Sequence, residues 1–87
     1  MDYDFIRGKM DDLALSMSMQ KAPVPHAKKL EQIALLRDLA QRASDAATGS
    51  PHELSRKESV RTLLERMEKM MAGTVVLNQF KLQYRRI

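Results

Sequence analysis

Through the last third of the chain, residues recur at steps of three and four: Val60, Leu63, Met67, Met70, Thr74, Leu77, then Phe80, Tyr84 and Ile87. That spacing lays one mainly apolar stripe along a single face of an α-helix, and the stripe reaches residue 87. Such a stripe must be covered. A chain of 87 residues has little else to cover it with, because a domain of this size buries only roughly three fifths of the surface that its unfolded form exposes. Packing against copies of itself or against a second helical chain is therefore the leading functional expectation.

The apolar residues, 44% of the total, are mainly Ala, Leu and Met, with no Trp and only two Phe and two Tyr. This mixture suits interlocking helices better than a β-sandwich core. The sequence accordingly predicts an all-α fold, a small helical hairpin with an additional N-terminal helix, forming one domain over residues 1–87 and expected to be oligomeric.

Helix one is expected over about 4–20, with Ile6, Met10, Leu13 and Met17 on its inner face and an acidic start that suits the positive end of the helix dipole. Pro23 and Pro25 make 21–25 a stiff linker, since neither has an amide hydrogen and each pushes the preceding residue toward extended geometry. Helix two is expected over about 26–47, with Leu30, Ile33, Leu36, Ala40, Ala43 and Ala47 on one face, widened by Leu35, Leu39 and Ala46. Its shift from Leu and Ile to Ala lets a neighbouring backbone approach closely at the C-terminal end.

Thr48-Gly49-Ser50-Pro51 breaks that helix. Gly49 suits a left-handed C-terminal position, while Ser50, Pro51 and Glu53 read as a capping-box start for helix three, expected over about 52–72. Gly73 and the β-branched run after it weaken helix, and Gln79 to Arg85 alternates like a half-buried strand. The sequence favours a continued or kinked helix over a strand across 73–87, because the chain offers no second strand to pair with.

Chemistry-bearing patterns are scarce. His26 and His52 each follow a proline and have no second His or Cys at one-turn spacing, so they read as surface residues near helix starts rather than metal ligands or bases. Asp11 and Asp12 are adjacent and point to different helix faces. No Ser has a base and an orienting group in reach, and Gly8, Gly49 and Gly73 are too scattered to cradle phosphate. The expectation is no enzyme, no cofactor, no metal and no small-molecule substrate.

The net charge of +4 sits entirely in residues 51–87, where eight basic residues face four acidic ones. Nucleic-acid binding through Arg56, Lys57, Arg61, Arg85 and Arg86 is the runner-up reading, because Glu53, Glu58, Glu65 and Glu68 dilute the basic face and the aromatics fall on the apolar stripe. With no cysteine, no cleavable signal pattern and no long apolar run, the sequence predicts no membrane span and a cytoplasmic location, and export without a cleavable signal is compatible with the same features.

The expected function is a non-catalytic protein–protein interaction or self-assembly module, such as an adaptor, a chaperone-like protein or a structural subunit. Leu63, Met67, Met70, Leu77, Phe80 and Tyr84 are the expected anchors, with Arg56, Lys57, Arg61, Arg85 and Arg86 as a charged rim. Seven Met residues fit this, since a flexible thioether adapts to a partner as readily as it fills a core.

Overall fold

The computed structural model describes residues 2–21 and 23–85, with side chains in the last helix described as far as Met71. Its elements are three helices, α1 (Tyr3–Ser18), α2 (His26–Ala47) and α3 (Glu53–Arg85), with no strand among the described residues.

Helix α1 starts where Asp2, in extended geometry, accepts the Asp4 amide on its carboxylate at 3.4 Å. It ends at Met19, whose amide reaches the carbonyls of Leu15 and Ser16. This is short of Gln20: the Ser18 hydroxyl bonds back to the Ala14 carbonyl at 2.9 Å, and the prolines ahead prevent further helix. Ile6, Met10 and Met17 are buried as the spacing requires; Leu13 is only half-buried, and Tyr3 and Ala14 complete the inner face.

Helix α2 closes through Thr48 in extended geometry followed by Gly49 at φ +78°, the left-handed position expected of it. The start of α3 differs from the expected capping box. Pro51 and His52 form a turn, and His52 takes φ +62°, which halts the helix before Glu53. Ser50 is then too early to cap, and its hydroxyl donates instead to the Ala47 carbonyl at 2.6 Å. The Glu53 carboxylate still reaches back, and it accepts the amide of Gly49.

Through Gly73 and the β-branched run, α3 stays helical to Arg85. The strand alternative for Gln79 to Arg85 is thereby replaced by helix: backbone bonds within one segment need no partner, whereas a lone strand would leave its own unmade. At 1.5 Å per residue α3 is about 50 Å long, which matches the 51 Å longest dimension of the molecule.

The core is built from Tyr3, Ile6, Met10, Ala14 and Met17 of α1, Leu36, Ala40, Ala43 and Ala47 of α2, and Val60, Met67 and Met71 of α3. Contacts fix the register. Along α3, successive α1 residues advance in the same direction: the Tyr3 hydroxyl meets the Arg56 carbonyl at 3.5 Å, Arg7 donates to the Ser59 hydroxyl at 2.6 Å, and Ser18 lies 4.0 and 3.8 Å from the sulfurs of Met67 and Met70. Residues of α2 advance in the opposite sense, since Arg37 pairs with Glu68 at 2.9 Å while Ser44 shares a groove with Lys57. The alanine end of α2 thus meets the start of α1 and α3, and the methionines gather at the other end.

Not every leucine of α2 turns inward. Leu30 is 58% and Leu35 51% exposed, so the inward face is narrower at the first turns than its apolar pattern suggests.

Candidate functional site

The side chains of the expected association stripe are described as far as Met70. Met67, expected as an anchor, is 3% exposed and lies in the core of the chain itself with Met17 and Met71. Leu63 is half-buried against the same core. Both α1 and α2 contribute to covering this part of the stripe, with Ser18 beside Met67 and Arg37 paired with Glu68, contacts the steps of three and four cannot reveal. Met70 is the most exposed of the three, at 40%, beside Ser18.

Beyond Met71 the stripe continues on residues 72–85 of α3, past the point where Met17 and Ser18 of α1 and Lys29 of α2 gather around Met70 and Met71. The side chains of Leu77, Phe80, Tyr84 and Arg85, and Arg86 as a whole, lie outside the described residues. By backbone position Leu77, Phe80 and Tyr84 follow one another at steps of three and four along a continuous helix.

The charged rim is partly engaged. The Arg56 guanidinium sits over the Tyr3 ring, 4.8 Å from its centre. Arg61, exposed, pairs with Glu58 one turn earlier. Lys57 is half-buried and shares with Arg37 and Arg61 a groove of about 330 Å³ between α2 and α3. Arg7, which the sequence did not single out, is well connected: it bonds Asp11 at 3.0 Å, Ser59 at 2.6 Å and Tyr3 at 3.4 Å. Burial opposes its charge, but the hydrogen bonds to Tyr3 and Asp11 outweigh that and hold the guanidinium above its ordinary range. Its one sequence signal is the i, i+4 spacing to Asp11, and the link to Ser59 joins two helices, so it fixes packing and offers no reactive group.

A second surface escaped the sequence reading. Along the outer side of α1 and α2, Leu35 at 51% exposure lines a shallow seam with Leu13 and Leu39, and Phe5, 53% exposed, lies under the Lys9 ammonium, 5.0 Å from its ring centre. Leu35 was visible in the pattern only as a widening of the α2 face, and nothing local marks it as exposed.

Among the described residues there is no group of His, Cys, Asp and Glu that could hold a metal, and no helix long and apolar enough to cross a membrane. Comparison with protein-family models, with curated proteins and with solved structures finds no match.

Proposed function

We propose that this chain is a non-catalytic helical interaction or self-assembly module, an oligomeric adaptor or structural subunit that associates through the C-terminal extension of α3. In this reading α2 and the first half of α3 form the hairpin body and α1 is layered on it. The observation that carries the proposal is the length of α3: its 33 residues, about 50 Å of helix, exceed the 22 of α2 and the 16 of α1, which leaves α3 a C-terminal extension. That extension carries Leu77, Phe80 and Tyr84 at helical spacing. An apolar helical stripe gains stability by burial against another chain, at roughly 25 cal/mol per Å² of apolar surface removed from water.

Nucleic-acid binding through Arg56, Lys57 and Arg61 has less support, because Arg56 is stacked on Tyr3 and Arg61 is paired with Glu58. Light scattering after size-exclusion chromatography, across protein concentrations and at low and high salt, tests the choice. Association through the stripe gives a multimer that survives salt and that Phe80→Asp reduces to monomer with helical circular dichroism retained. A parent chain that stays monomeric at every concentration would refute self-assembly. Capture of duplex DNA that weakens steeply with salt would favour the basic surface instead.

A further inference from the structure

At the end of the body where the methionines gather, a depression of about 200 Å³ opens between the helices. Its lining includes Met17, Ser18 and Gln20 at the end of α1, Lys29 of α2, and Met70 and Met71 of α3. Met67 stands one turn before Met71, with its sulfur 4.0 Å from the Ser18 hydroxyl, and the Met70 sulfur is 3.8 Å from the same hydroxyl. That hydroxyl has a single proton, and the Ala14 carbonyl, much closer at 2.9 Å, takes it. The lone pairs of both thioethers are left uncommitted. Beside them, Gln20 Oε1 is buried and has no hydrogen-bond partner among the described residues. A buried carbonyl oxygen in that state is unfavourable until something electropositive reaches it.

We infer that this depression is a site for a soft monovalent metal ion, Cu(I), held by the thioethers of Met17, Met67 and Met70 with the Gln20 amide oxygen as a further donor. The ligand type selects the ion. Thioethers belong with the soft ligands that favour Cu(I), a class apart from the His, Cys and carboxylate groups that hold zinc, calcium and magnesium. No carboxylate, imidazole or thiol is among the described residues that line the depression. Charge selects in the same direction. Lys29 brings a positive charge to the lining, and its repulsion rises with the charge of the ion, so a monovalent ion is opposed less than a divalent one.

Reach and access are also met. Met67 and Met70 are three residues apart on one face of α3, and Met17 comes from α1 against them. With three rotatable bonds, each thioether can turn toward a common point without movement of the backbone. Met17 and Met67, each 3% exposed, close the inner side against water, whereas Met70, at 40%, leaves a way in from solvent. The site lies within the body, so it does not depend on association through the α3 extension.

The full chain is titrated anaerobically with Cu(I) against a chromogenic Cu(I) chelator, and in parallel with Ag(I), a redox-inert stand-in, in chloride-free buffer. Zn(II) provides the contrast. With isotope-labelled methionine methyl groups, the first equivalent of Cu(I) or Ag(I) is expected to shift the Cε resonances of Met17, Met67 and Met70 and to leave that of Met19, 72% exposed, in place. The melting temperature should rise with metal concentration. Met70→Leu and Met17→Leu are expected to weaken Cu(I) binding at least about tenfold with helical circular dichroism retained, because Leu replaces Met at nearly constant volume. Met19→Leu should bind like the parent. Should Met17→Leu unfold, the half-exposed Met70→Leu decides alone. The inference is overturned by any of four results: no saturable binding of either ion, a first equivalent that moves Met19, His26 or His52 instead of the cluster, an equal response to Zn(II), or a Met70→Leu variant that binds like the parent.

Discussion

Leu35 and Leu36 are neighbours in sequence with opposite fates in the fold, and that contrast gives the sharpest test of the packing. Leu36 is fully buried among the core residues, whereas Leu35 is 51% exposed. Truncating Leu36 to Ala removes three buried carbon atoms, about 2.4 kcal/mol of transfer free energy at ~0.8 kcal/mol each. The cavity left behind raises the total to about 3–4 kcal/mol. Against a total stability of about 4–13 kcal/mol for a chain of this size, that is a large fraction. The melting temperature should fall by roughly 20 °C. Leu35→Ala loses about half as much apolar burial and opens no cavity, so about 1 kcal/mol is expected. Circular-dichroism melts and urea titrations of both variants at low protein concentration give the comparison. If the two truncations cost the same, or Leu35→Ala costs more, the inward face of α2 has been assigned wrongly. If Leu35→Ala grows more costly as protein concentration rises, the extra loss belongs to a contact between copies of the chain.

The turn between α2 and α3 gives two further tests. Gly49→Ala meets no neighbouring atom but forces a side chain into the left-handed region, so a loss of about 1 kcal/mol is expected in a urea titration. His52→Gly relieves the same kind of strain and should leave stability unchanged or raised by up to about 1 kcal/mol, whereas a drop in the melt would mean that the imidazole makes a contact of its own. Arg7→Ala should cost about 1 kcal/mol through its bonds to Ser59, Tyr3 and Asp11, and should speed amide exchange in α1 more than in α2.

The helical content was legible because its signals are local. The steps of three and four in Ile6, Met10 and Met17, the prolines at 23 and 25, and Gly49 each act within a turn or two of the chain. What stayed hidden depends on residues far apart in sequence. Met67 looked free until Met17 and Ser18 were brought against it from some fifty positions away. The strand-like alternation after Gly73 was a local pattern too, but backbone pairing decided against it. Ser50 had the right neighbours for a cap, and one dihedral angle at His52 displaced the start of the helix beyond it. Of the candidate surface, the sequence marked the α3 stripe, whereas Leu13, Leu35 and Leu39 come together at one edge of α1 and α2 only in the fold.

The uneven distribution of side-chain size along the body has a mechanical consequence. At one end Ala40, Ala43 and Ala47 bring backbones close, with the beta-branched Val60 and the tethered Tyr3 beside them. Small side chains of this kind have no rotamers to exchange, so that end is stiff. At the other end the helices are held apart by Met17, Met67 and Met71, whose three rotatable bonds and soft thioethers yield under strain. The body is therefore packed by small side chains at one end and by adaptable ones at the other, so a substitution that changes side-chain volume should be absorbed more readily among Met17, Met67 and Met71 than among Ala40, Ala43 and Ala47.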